Sequence, residues 1–146
     1  VRYIEEKLSG HGNLYIAVDP SPVKSLGLAK IISGKSNEPR VSQEIERILG
    51  LKKLDLVLSD MAPNISGIRE RDDALMLGLV DLVLMMIDTK LKKDGSALIK
   101  VFQGETLDYT REALNKRFNK VKISKPKASR QNSKEIYVIG KELKKL

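Results

Sequence analysis

Three short, almost uninterrupted apolar runs constrain this chain most: Leu54-Asp55-Leu56-Val57-Leu58-Ser59, Ser96-Ala97-Leu98-Ile99 and Ile136-Tyr137-Val138-Ile139. Runs of this composition are strands buried on both faces, as in a sheet covered by helices. Each delivers one ionisable residue at its end: Asp60 follows the first, Lys100 follows the second, and Glu135 precedes the third. A charge at the end of such a strand is costly unless it faces a site or a partner. One charged residue ending a strand is ordinarily just solvated. An acid, a lysine and a second acid at strand ends of one α/β sheet, with an unusual Pro63-Asn64 loop after the first, form a candidate catalytic cluster.

The segments between the runs read as helices and turns. Leu14 to Val18 is a short strand ending at Asp19-Pro20, preceded by a turn containing Gly10, His11 and Gly12, and Arg2 to Ser9 reads as the tail of a helix. Residues 33–42 are polar and broken by Pro39, which predicts a loop; Ser42 to Leu49 reads as a short helix with Ser42 as its N-cap. Asp72 to Lys90 is the clearest helix, apolar enough to pack beneath a sheet. Lys92-Lys93-Asp94-Gly95 reads as a turn, Tyr109 to Phe118 as an amphipathic helix, and Val121 to Ile123 as a further strand. Helix and strand alternate throughout, the α/β signature. At 146 residues the natural expectation is a single domain with a core that needs no staples.

Composition narrows the class of function. Cysteine is absent, so neither disulfides nor thiolate metal sites form, and the lone His11 assembles no histidine metal site. The longest apolar stretch, Leu75 to Ile87, is interrupted by Gly78 and Asp81 and is too short to cross a bilayer. No signal peptide is visible. A cytoplasmic monomer fits best; an organellar protein processed at its N-terminus would look the same. The formal net charge is +8, concentrated after residue 90 in Lys116, Arg117, Lys120, Lys122, Lys125, Lys127, Arg130 and Lys134. Such a basic C-terminal third suits a polyanion such as RNA, although solvated surface lysine gives the same count.

The words around the ionisable residues are more specific than the residues themselves. Ser59-Asp60-Met61-Ala62-Pro63-Asn64-Ile65-Ser66-Gly67, Lys100-Val101-Phe102-Gln103-Gly104, Lys125-Pro126-Lys127-Ala128-Ser129-Arg130 and Ser133-Lys134-Glu135-Ile136-Tyr137 occur in that order. The series resembles the FtsJ-like family of ribose 2′-O-methyltransferases, most closely its members acting on large-subunit ribosomal RNA. The resemblance runs over roughly residues 10–140 and is dense from Asp55 onward. It implies a Rossmann-like S-adenosylmethionine-dependent methyltransferase sheet flanked by helices, with RNA as partner. Two departures accompany it. No Gly-rich cofactor loop, first strand or upstream catalytic lysine precedes Leu14, so an N-terminally shortened member is expected, its first, central strand missing. Lys35 stands about where the family carries an adenine-contacting Asp.

The resemblance also implies roles. Lys100 would lie nearest the 2′-hydroxyl, Asp60 beside the donor methyl, and Glu135 would hold Lys100 by a charge-assisted hydrogen bond. A lysine takes a proton only if its surroundings disfavour the ammonium, and adjacent acids do the opposite, so Lys100 either deprotonates the hydroxyl or orients it. Asp19 would bind cofactor hydroxyls, as acids ending a second strand do, and Pro63 with Asn64 would wall the cofactor. Lys125, Lys127, Arg130 and Lys134 would meet RNA phosphates. Tyr137, alternating within its strand, reads as core. The rival readings are an inactive RNA-binding remnant of the same fold and a related methyltransferase acting on tRNA or the mRNA cap.

Overall fold

The structure, a computed structural model, describes residues 13–24, 29–125 and 133–144. The expected helix Arg2 to Ser9, the turn around His11, and Lys127 and Arg130 lie outside the described residues. The chain divides into two compact units, residues 1–52 and 53–146, and each is described by itself.

The first unit holds a two-stranded parallel sheet, β1 (Ile16–Asp19) beside β2 (Lys30–Ser33), and helix α1 (Pro39–Leu49). Strand β2 is four residues long, too short to register as an apolar run, and sequence alone gave only the loop that follows it. Helix α1 begins three residues before the expected Ser42. Pro39 occupies the first turn, where its missing N–H costs nothing, and Glu38 is the N-cap residue. The Glu38 carboxylate does not cap the helix: it accepts from the Lys35 N–H at 2.9 Å and from Arg40 Nε at 2.8 Å. Val41, Ile45 and Leu49, at helical spacing, form the buried stripe.

The second unit is a four-stranded mixed sheet in the order β3-β4-β6-β5, formed by β3 (Leu54–Ser59), β4 (Leu91–Phe102), β5 (Phe118–Ser124) and β6 (Glu135–Leu143). Helix α2 (Arg69–Lys90) joins β3 to β4, and α3 (Glu105–Arg117) joins β4 to β5. Strands β3 and β4 are parallel, while β6 runs antiparallel to both its neighbours. The expected turn Lys92–Gly95 lies inside β4 as an irregularity. Leu54 pairs with Leu91 and Leu56 with Ser96, so β4 carries extra residues there, and Asp94 takes a left-handed φ of 62°. Helix α2 begins at Arg69 and α3 at Glu105, each a turn earlier than expected.

Strand period assigns the core. Ala97, Ile99, Val101 and Val138 share one face and pack with Val80, Val83, Leu84 and Ile87 of α2 and with Leu114 of α3. Phe118 lies across Gly140 so closely that a Cβ there would meet its ring at 2.7 Å. Arg117 ties the helices together, donating from Nε and a terminal nitrogen to Asp88 at 2.7 and 2.8 Å. Among the described residues no helix is long and apolar enough to cross a membrane.

Candidate active site

The register of three strands assembles the cluster. Leu58 and Ser59 pair with Leu98 and Ile99, which brings the next residues, Asp60 and Lys100, side by side. Across the antiparallel ladder Lys100 faces Tyr137, and Phe102 faces Glu135. Residues 98, 100 and 102 of β4 therefore share a face with 135, 137 and 139 of β6, opposite the helix-packed core. The site stands at the carboxyl ends of the parallel pair β3 and β4, where open α/β sheets bind ligands.

Lys100 is the centre. Its side chain is only 10% exposed, and its Nζ lies 3.3 Å from Asp60 Oδ1 and 3.5 Å from Glu135 Oε1. The Asp60 and Glu135 side chains are 75% and 43% exposed. A buried amine thus sits between two carboxylates open to solvent and to any ligand. Two carboxylates and one ammonium leave the cluster one negative charge.

Tyr137 belongs to the site and not to the core. Its hydroxyl donates to Asp60 Oδ1 at 3.0 Å, the same oxygen that faces Lys100. Burial pushes the phenol above the usual tyrosine range, helped by the hydrogen bond to Asp60 and the negative charges of Asp60 and Glu135. The signal was present in the sequence: Tyr137 lies two residues beyond Glu135, and in a strand that spacing means the same face.

The loop after Asp60 is clasped from α2. Asp72 is buried, and its Oδ1 accepts from the Ser66 N–H at 2.8 Å and the Ser66 hydroxyl at 2.7 Å. Its Oδ2 accepts from the Gly67 N–H at 3.1 Å. Those hydrogen bonds hold the Asp72 carboxyl below the usual aspartate range. Gly67 takes φ 85°, a conformation that favours glycine. Asp72 is not the helix start its sequence suggests; it stands inside α2 and reaches back to the loop. Within that loop Met61 packs against the core, Pro63 is half-buried and Asn64 is exposed.

Two of the expected RNA contacts are described. Lys125 donates from Nζ to the Ser133 carbonyl at 3.1 Å, and Lys134 is exposed while its carbonyl accepts from the Gln103 N–H at 2.8 Å. Lys122 and Ser124 of β5 share the face of Ile139 and Tyr137. Asp19 lies in the other unit, exposed, with Oδ1 accepting from the Ser21 N–H at 2.8 Å in a local turn.

In the comparison with family models, residues 3–143 match the FtsJ-like methyltransferase model. The chain belongs to the FtsJ-like methyltransferase family. Among curated relatives, a ribosomal RNA large subunit methyltransferase E from Janthinobacterium sp. (strain Marseille) is 38% identical over 148 residues, covering 98% of this chain and 69% of the relative. A protein of the same name from Polaromonas sp. is 38% identical over 155 residues, with 99% and 63% covered. The chain thus spans about two thirds of the length of these relatives. Among solved structures, a ribosomal RNA methyltransferase from Plasmodium falciparum superposes with a TM-score of 0.84 at 23% identity, covering 96% of this chain and 78% of the other. That likeness shows the α/β fold, helices flanking strands.

Proposed function

We propose that this member of the family transfers a methyl group from S-adenosylmethionine to a ribose 2′-hydroxyl of RNA, with large-subunit ribosomal RNA as substrate. The observation that carries the proposal is the Lys100 ammonium, buried at a strand end between Asp60 and Glu135. The cluster's net negative charge suits a cationic sulfonium, and the half-buried Pro63 on a clasped loop suits a wall beside it. When bound, the cofactor supplies an electrophilic methyl carbon on that sulfonium.

The residues of the chain do the rest. Methyl transfer to a hydroxyl forms an oxygen–carbon bond, breaks a carbon–sulfur bond and releases the hydroxyl proton. Lys100 has three N–H groups, two of which face carboxylates. The third orients the 2′-oxygen for in-line attack. Asp60, open to the substrate, receives the hydroxyl hydrogen and takes up the proton as the bond forms. Glu135 holds Lys100 in place. Lys125, Lys127, Arg130 and Lys134 hold backbone phosphates, positioning RNA without reading its bases.

Calorimetric titration of the purified chain with S-adenosylmethionine tests the proposal, followed by methyl transfer to large-subunit ribosomal RNA. Saturable cofactor binding and methylation confined to a ribose 2′-oxygen are the expected results. A chain that retains RNA but binds no cofactor would overturn the enzymatic reading in favour of a non-catalytic RNA-binding protein.

A further inference from the structure

Asp60 and Tyr137 are held very differently. Tyr137 is the register partner of Lys100 on β4 and of Ser124 on β5, so it stands in the middle of three hydrogen-bonded strands. Asp60 follows the last residue of β3, a strand at the margin of its sheet, and its side chain is 75% exposed. An exposed carboxylate in that position samples several rotamers unless donors restrain it. Two donors meet on its Oδ1, Lys100 Nζ at 3.3 Å and the Tyr137 hydroxyl at 3.0 Å. The pull of the lysine depends on its charge, whereas the phenol donates as a neutral group.

We propose that Tyr137 is a positioning residue for methyl transfer, its strand-fixed hydroxyl holding the exposed Asp60 carboxylate in place. The inference rests on the methyltransferase reading of the site. The groups facing the phenol are Asp60 after β3, Lys100 on β4 and Glu135 on its own strand, with Ser124 and Lys122 on the same face of β5. Burial and the two acids raise the phenol's proton affinity, so it stays a donor on the alkaline side where an ordinary tyrosine begins to ionise.

The test is Tyr137→Phe in the full chain, which keeps the ring and removes only the hydroxyl. The expected kcat is lower by about tenfold, the size of one hydrogen bond to a charged group, with KM for RNA and cofactor unchanged. The deficit should persist through the ordinary tyrosine range and close only where the raised Tyr137 phenol ionises and the native chain loses the same donor, a change that a purely structural role would not produce. Nuclear magnetic resonance of ring-labelled tyrosine supplies a readout independent of activity. The resonance missing from Tyr137→Phe should titrate above the ordinary range in the native chain and move toward it in Asp60→Asn. A Tyr137→Phe chain with native kcat and pH profile overturns the role, and a tyrosine resonance indifferent to Asp60→Asn overturns the contact. A native chain that methylates nothing overturns the proposed function itself, and the role with it, while the resonance still reports the contact.

Discussion

The two faces of the four-stranded sheet come from alternate residues of the same strands and have opposite characters. On one face Ala97, Ile99, Val101 and Val138 are all but inaccessible, sealed by α2 and α3. On the other, the Lys100 side chain is nearly buried, Glu135 and Tyr137 are only partly so, and Leu56 and Leu58 remain 44% and 48% exposed. A single-residue slip in register would exchange the two sets, so the pairing that buries the core is also what aligns the cluster. Stability and chemistry are therefore neighbours in sequence and separable by mutation.

Adjacent substitutions on β4 should break the comparison most sharply. Lys100→Ala removes the group proposed to orient the hydroxyl, and methyl transfer should fall about a thousandfold, with RNA affinity and melting temperature nearly native. An active Lys100→Ala chain, measured by label transfer to RNA, would sink its proposed role. Ile99→Ala, one residue earlier, should behave the opposite way. Its side chain is 1% exposed in the helix-packed core, and truncation there should cost about 2–5 kcal/mol of stability by denaturant unfolding. The chain that remains folded should keep its catalytic constants, since residue 99 points away from the cluster.

Much of this division was legible beforehand. The continuous apolar runs announced strands of a helix-covered sheet, and the ionisable residues at their ends announced the cluster. Burial on both faces did not follow, since Leu56 and Leu58 of β3 stay exposed opposite the helices. What sequence reasoning missed has physical causes. Strand β2 is too short to display a period, and Pro39 extended α1 because a helix accepts proline in its first turn. The Lys92–Gly95 turn chemistry was real, but it was spent on an irregularity within β4 and not on a break before it. Tyr137 was assigned to the core because an aromatic in an apolar strand usually lies there. Only the register with Lys100 and the hydroxyl on Asp60 reveal which face it serves. Asp72 looked like a helix start because a carboxylate there ordinarily caps its own helix. Its actual partners lie five and six residues back, in a loop whose conformation no local pattern specifies.

Asp72 sharpens the comparison from between the two faces, since it sits on a core-packed helix yet holds the loop that bears Asp60. Its depressed pKa makes the sign clear. The bound carboxylate stabilises the folded loop fully above the ordinary aspartate pKa of about 3.9, and that contribution is lost as pH falls through the lower folded value. The native chain should therefore carry an acid-side loss of stability that Asp72→Asn lacks. In that variant the amide oxygen replaces only one of the two carboxylate oxygens, and the amide nitrogen, itself a donor, leaves either the Ser66 or the Gly67 N–H unmet. Near neutral pH the loop loosens while Lys100 and Glu135 keep their strand positions. The KM for cofactor should rise about fivefold, with kcat changed much less. Equal losses in kcat and in kcat/KM would mean that the clasp positions Asp60 itself. Unchanged kinetics together with an unchanged acid limb of the stability profile would remove Asp72 from the machinery and leave the loop's shape to Gly67 and the packing of Met61.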